Sequence, residues 1–288
     1  MSKLDRNGFA APLLFGASSQ VGEALLPQLV EAGHQPRAVS RQPARQPIEG
    51  VDWELGCFGS TRLPAPAVLC VGPLLPFAVW LEDQPIGLIE RIIAVSSLSL
   101  RHKRDAADAA ERRTAALLAE GEARLCAAAD RLGADWSLLR PAMLYGKGRD
   151  GTVARALDFG RRHGWLPLPV PASGLRQPLH LDDFADAIVQ CLHGAASRST
   201  LELGGGERLT LRELLERVAQ ALPGCRLLRL PAMPLRWASA ALAPLASRAR
   251  ELHAVLDRAG KDQLPDEELA RRLLDWRPRR FKPGPTAS

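Results

Sequence analysis

The residues best placed to do chemistry are Gly16 and Gly22, with Ser18, Ser19, Gln20 and Val21 between them. A short apolar run, Pro12-Leu13-Leu14-Phe15, stops at Gly16, and Val21, Leu25, Leu26, Leu29 and Val30 then recur at helical spacing. This pattern predicts strand, tight turn and helix. The first glycine permits a sharp exit from the strand and the last lets helix and strand pack closely. The unpaired N–H groups of the helix start then attract a pyrophosphate. Ser19 stands where a middle glycine would let the backbone approach the diphosphate, and so adds a Cβ at that point. Ser96 and Ser97 form a second candidate pair. They close the apolar run Arg91-Ile92-Ile93-Ala94-Val95, and ligands in open α/β sheets bind at the carboxyl ends of central strands.

These residues need a sheet to hold them. The first helix ends at Ala32-Gly33, a glycine placed as a C-cap should be, and Gln35 to Arg41 follows as a second strand. At the end of that strand a dinucleotide site takes a ribose 2′-OH with an acidic residue or a 2′-phosphate with an arginine. Ser40-Arg41 therefore favours NADP(H), with NAD(H) as the alternative; the other reading of Arg41 is a solvated loop residue. Val51 to Leu55 alternates as a short strand, and Ala67 to Val71 is a buried parallel strand closed by Gly72-Pro73, where a cofactor would pass over the strand end. Phe77 to Ile89 reads as a short helix-like span. Arg101 to Asp105 reads as a charged loop, although His102 and Lys103 lie close enough to the serine pair to reach it. Asp105 to Arg131 is a helix with apolar positions at Ala116, Leu117, Ala119, Ala123, Cys126 and Ala127.

Trp136 to Leu139 is a strand leading into an Arg140-Pro141 turn and to Tyr145, the single tyrosine of the chain. Gly146 to Gly151 is a loop, followed by a basic helix to His163 and an extended cover, Trp165 to Pro169. Asp182-Asp183 open a helix and read as caps that complement its dipole. Thr200 to Leu203 is a last short strand. Thr210-Leu211-Arg212-Glu213 is a capping box, and Arg226 to Arg250 reads as a lobe helix packed on the core in preference to an interfacial helix on anionic lipid.

Four motifs occur in a recognisable order: Phe15 to Gly22, Ala94 to Ser97, Leu139 to Gly148, and Arg176 to Ala187. Together they resemble an extended or atypical short-chain dehydrogenase/reductase of the NAD-dependent epimerase/dehydratase type. The resemblance implies a doubly wound parallel α/β sheet of the Rossmann kind over residues 1–145 and 174–203, and a small substrate lobe over 146–173 and 204–288. It implies a dinucleotide held by Gly16, Ser18, Ser19, Gln20, Val21, Gly22, Arg41, Cys57, Gly72, Pro73, Ser96, Pro141 and Met143. Cys57 falls where relatives carry an adenine-binding Asp, so that contact is lost or made by the backbone. Ser97 would polarise the substrate, Tyr145 would line its pocket, Arg176 would meet a substrate phosphate, and His180 would serve the substrate site or the structure. The resemblance also implies a tyrosine and, one turn later, a lysine acting as proton donor. Alignment through Glu122 puts Thr114 and Leu118 there, and neither titrates near neutral pH. The implied function is that of an oxidoreductase or epimerase on a small polar or nucleotide- or lipid-linked sugar. The alternative is a dinucleotide-binding sensor, assembly factor or scaffold without turnover.

Composition narrows the rest. A chain of 288 residues with 46% hydrophobic content can bury a full core. The formal charge of +6 suits anionic ligands. With 5% aromatic residues and no basic run interleaved with stacking residues, nucleic-acid binding is not indicated. The 5 cysteines are scattered and lack a C-x-x-C pair, so they suggest neither a disulfide framework nor a zinc site and read as small buried hydrophobes. No secretory signal or membrane span is indicated, which points to the cytoplasm and to a monomer or homodimer with small-molecule partners only.

Overall fold

A computed structural model describes residues 10–60, 65–231, 256 and 258–284. The chain opens with β1 (Leu13–Phe15), α1 (Gln20–Glu31), β2 (Arg37–Ser40), β3 (Asp52–Leu55), β4 (Ala67–Cys70), α2 (Leu74–Glu82) and β5 (Arg91–Val95). It continues through α3 (Ser99–Lys103), α4 (Ala109–Leu132), β6 (Asp135–Pro141), β7 (Leu144–Tyr145), α5 (Val153–His163) and β8 (Trp165–Val170). Next come β9 (Leu175–Arg176), β10 (Leu179–His180), α6 (Leu181–Leu192), β11 (Ser199–Leu203), β12 (Leu209–Thr210), α7 (Leu211–Gln220) and β13 (Arg226–Pro231). The last described helix, α8, covers Glu268–Leu273. The chain divides into two compact units. The first comprises Met1–Pro141, Leu181–Leu203 and Asp266–Arg277, and the second Ala142–His180, Gly204–Pro265 and Pro278–Ser288.

The first unit is a seven-stranded sheet in the order β11-β6-β5-β4-β1-β2-β3. Every pairing in it is parallel. Parallel strands covered on both faces read as unbroken apolar runs, and β1 and β4 are buried along their whole lengths. The strand order reverses between β1 and β4, which pair Phe15 with Cys70. Phe15, Phe58, Phe77 and Trp80 cluster beside this point, with ring centroids between 4.8 and 6.0 Å apart.

Several boundaries differ from the sequence reading. Helix α2 starts and ends early, at Leu74 and Glu82, because Pro76 is tolerated in a first turn while Pro85 and Gly87 (φ 82°) stop the helix. Residues 101–103 belong to the short helix α3, and Arg140 and Pro141 continue β6. Helix α4 is where expected, from its Asp108 N-cap to left-handed Gly133, but it turns another face inward. Ala115, Gly121, Leu125, Ala128, Ala129 and Leu132 are buried, whereas Ala116, Leu117, Ala119, Ala123 and Ala127 are exposed and Cys126 is half-buried. Alanine on every side leaves no apolar stripe to read, and the choice falls to closest approach. A Cβ at Gly121 would lie 3.0 Å from Leu74 Cγ and 3.1 Å from Leu75 N, so the glycine marks where α2 and α4 come closest. Of the cysteines, Cys70 and Cys191 are buried and burial pushes both thiols up to about 12. Cys57, expected inside, is exposed in a turn closed by Ser60.

In the second unit Tyr145, Val153, Leu157, Leu166, Leu214 and Phe281 share one core. The expected capping box opens α7: Thr210 Oγ1 accepts from Glu213 N at 3.1 Å and Glu213 Oε2 accepts from Thr210 N at 2.7 Å. Arg226–Pro231 is not helical but pairs in parallel with β8. The remainder of that expected helix, 232–250, lies outside the described residues.

In the first unit, His34 follows α1 and His193 follows α6, with Nε2 atoms 2.9 Å apart. That hydrogen bond needs one donor and one acceptor, so it is lost when both Nε2 atoms carry a proton. His193 is shifted down by burial and by His34. The unfolded chain therefore takes up a proton on His193 as pH falls through about 6.5 while the folded chain resists, and stability declines on that side. The thermal midpoint of the wild type should drop more steeply between pH 7 and pH 5 than that of His193→Gln. Equal slopes would show that the pair does not govern acid stability.

Candidate functional site

The turn after β1 is fixed by two close backbone approaches. Gly16 has φ 84°, and a Cβ there would lie 2.8 Å from Gly72 N. A Cβ on Gly22 would lie 2.4 Å from Ala17 O. Neither position admits a side chain. Ser19, between them, is the N-cap of α1, its Oγ accepting from Gly22 N at 3.1 Å. The hydroxyl thus engages one of the N–H donors that would otherwise face an anion. Gln20 Oε1 is buried and has no hydrogen-bond partner, and Val21 packs inward at 6% exposure. The glycine-bounded turn and the helix start, with its N–H donors, fit the diphosphate end of a dinucleotide.

At the end of β2 the buried Ser40 hydroxyl lies 2.7 Å from Ser18 Oγ and accepts from Gln42 N at 3.0 Å. This pins the start of the loop that carries Arg41, whose side chain is exposed. Arg45, on the same loop, approaches Glu23 in the first turn of α1 at 3.8 Å. The sequence gives no sign of that contact, because only the fold brings loop and helix start together. Gly72 and Pro73 follow β4, and Pro73 is the N-cap position of α2.

Ser96 and Ser97 follow β5. Ser97 Oγ accepts from Ser99 N at 3.1 Å and lies 2.8 Å from Ser99 Oγ, so the turn into α3 holds it. Ser96 donates to Glu122 Oε1 at 2.5 Å. Arg140 clasps Glu122 through Nε, at 2.9 Å, and through a second, closer contact from Nη2 to Oε2. Glu202, 8% exposed, then takes Arg140 Nη1 at 3.5 Å, Arg101 Nη1 at 2.7 Å and Asp266 N at 2.9 Å. Hydrogen bonding to Glu122 is the main reason the Arg140 guanidinium is held charged. Thr114 is exposed on α4, its hydroxyl turned back to Ala110 O at 2.9 Å, and Leu118 is half-buried. Lys103 lies 3.9 Å from Glu111, and His102 sits half-buried in α3. Pro141 is buried at the end of β6, its carbonyl accepting from Leu98 N at 3.1 Å.

The other candidates belong to the second unit. Tyr145 is 2% exposed, its ring edge-on to His180 at 5.1 Å and to Phe281 at 4.9 Å. Its hydroxyl lies 3.4 Å from both Arg280 O and Lys282 N. Met143 packs against the same core. Arg176 is buried and donates to the carbonyls of Leu175 at 2.8 Å and of Lys261 and Arg258 at 2.7 Å each. These bonds engage three of its five N–H groups within the unit. Burial, and secondarily the charge of Arg258, lowers its pKa to about 10.

Solved structures match this architecture. An epimerase of Methanothermobacter thermautotrophicus superposes with a TM-score of 0.71 at 14% identity, over 96% of this chain and 90% of its own. The UDP-glucose 4-epimerase of Thermotoga maritima, solved with UDP-glucose, gives 0.68 at 14% identity over 93% of each chain. MoeE5, solved with UDP-glucose and NAD, gives 0.66 at 18% identity over 94% of each. The fold is the Rossmann-type α/β fold that these structures share. At these identities the likeness is one of fold. No protein-family model matches the chain, and no curated protein matches it. No helix among the described residues is long and apolar enough to cross a membrane.

The charge chain around Glu122 yields a direct test. Glu122→Ala leaves a half-buried Arg140 and the buried Ser96 without their acceptor and should cost about 1–3 kcal/mol in urea unfolding. Thr114→Ala, on the exposed face of the same helix, should stay within about 0.5 kcal/mol. Similar costs for the two would show that the chain of charges does not hold the strand ends.

Proposed function

We propose that this chain is a member of the extended short-chain dehydrogenase/reductase family that binds a nicotinamide dinucleotide, NADP(H) in preference to NAD(H), without the family's tyrosine–lysine proton transfer. The observation that carries the binding half is the turn from Gly16 to Gly22, where two close backbone approaches exclude any side chain at the glycines and set the start of α1 at the end of β1. The cofactor would supply hydride chemistry; this chain's residues would hold it. Gly16 to Gly22 would receive the diphosphate, Arg41 would meet a 2′-phosphate, and Gly72, Pro73 and Ser96 would line its path over the strand ends. Pro141 completes the proposed contacts within the first unit, and the exposed Cys57 turn stands near the adenine end.

The absence of turnover rests on α4. Thr114 faces solvent with its hydroxyl engaged, and Leu118 carries no proton. A general acid typically contributes 10²- to 10⁴-fold, which separates a working enzyme from a binder. A second reading, a reductase or epimerase on a small polar or sugar-linked substrate, is favoured by Ser97 at the end of β5. Neighbouring folds that handle UDP-sugars make such compounds the first substrates to try.

Titration of the full chain with NADPH, NADP, NADH and NAD tests the binding half, and four flat titrations would end it. Arg41→Ala should weaken NADPH by roughly ten- to a hundredfold and spare NADH, as expected for a charge-assisted contact of about 1.5–3 kcal/mol. Equal losses would reduce Arg41 to a loop-shaping role. Ser19→Gly should tighten binding by freeing the Gly22 N–H.

The catalytic half predicts that bound NADPH persists when UDP-sugars and small ketones are added. Turnover that collapses in Tyr145→Phe or His102→Ala would instead identify a relocated acid.

A further inference from the structure

We propose that the second unit carries its own small-molecule site, a cavity of about 210 Å³ that takes a free amino acid, its ammonium toward Asp150 and its carboxylate toward Lys282. At about 30 Å³ per water this space holds roughly seven waters, enough for an amino acid and too little for a dinucleotide.

The floor is built around Asp150, which is only 5% exposed. Its Oδ1 accepts from Thr152, Val153 and Ala154 N at 3.1, 2.6 and 3.0 Å, which fixes the carboxylate at the start of α5. No hydrogen bond among the described residues reaches Oδ2. Lys282 borders the same cavity, and among the described residues the two form no ion pair. Asp150 and the exposed Lys282 line one small cavity without pairing, so an occupant that carries both complements can engage each in place of water. A plain anion is repelled by Asp150 and a plain cation by Lys282. A zwitterion satisfies each.

The remaining wall suits an aliphatic side chain. Val153, Ala154 and Leu157 line it from α5, and Tyr145 and His180 stand edge to face beside them. Gly146 (φ 135°) gives the imidazole its place, since a Cβ there would lie 2.9 Å from His180 Nε2. The site does not depend on the dinucleotide reading, because every residue in it belongs to the second unit.

The test is calorimetric titration of the full chain with L-alanine, L-valine and L-leucine, alongside N-acetyl-L-leucine, which lacks the ammonium, and L-leucinamide, which lacks the carboxylate. The expected result is saturable binding of a free amino acid that weakens at least tenfold when either end is blocked. Asp150→Asn, which keeps a good helix cap, and Lys282→Gln, on an exposed residue, should each show the same loss. The proposal is overturned if no free amino acid binds, or if the blocked compounds bind equally well. It is equally overturned if either variant binds like the wild type, since one charge alone would then define the site. NADPH titrated into the same variants reports on the first unit and keeps the two readings separate.

Discussion

Everything at the candidate cofactor site depends on backbone meeting backbone where the strand order of the sheet reverses. Gly16 lies against Gly72 and Gly22 against Ala17, at distances no Cβ survives. Because β1 and β4 are buried along their full length, neither strand can shift sideways to relieve a larger residue. The helix start is therefore held over the end of β1 by exclusion of side chains, and the directions of its N–H groups follow from that. Ser19 adds a local competitor without disturbing the geometry, since its Cβ points its hydroxyl back at the helix.

A second constraint runs across the carboxyl ends of β5, β6 and β11. Glu122, Arg140, Glu202 and Arg101 alternate in charge, each facing an opposite one, and Ser96 donates to the first of them. Half-buried charges are costly unless so paired, and a chain of them fixes the strand ends relative to α4 more narrowly than apolar contacts do. This holds α4 against the strand ends although alanine on every side leaves it no broad apolar stripe as an anchor.

The sheet was legible because buried parallel strands leave uninterrupted apolar runs, and Gly33, Gly133 and the Thr210 capping box mark helix ends by local rules that need no tertiary knowledge. What escaped the sequence was set by distant partners. The buried face of α4 is chosen by Gly121 against Leu74 and Leu75, and Arg226–Pro231 becomes a strand because β8 offers it a parallel edge. The pairing of Ser96 with Glu122 joins residues 26 positions apart, and that of Arg101 with Glu202 joins residues 101 apart. Nothing in local spacing announces either. Asp150 was passed over because an acidic residue in a glycine-rich loop looks solvated until α5 is seen to begin on it.

The two units share the chain in three stretches apiece. The thread leaves the first at Pro141, returns at Leu181, departs again after Leu203, and is back from Asp266 to Arg277. Neither body is a contiguous gene segment, so no single cut frees one from the other and neither could have been acquired or lost as a block. β11 pairs with β6 across the intervening residues 142–198, most of which belong to the second unit. Closing that strand onto the sheet means first closing a long loop, which puts the assembly on the slow side of the relation between topology and folding rate. During synthesis the sheet edge at β6 stays open until the second body's first stretch, Ala142–His180, and then α6 have emerged.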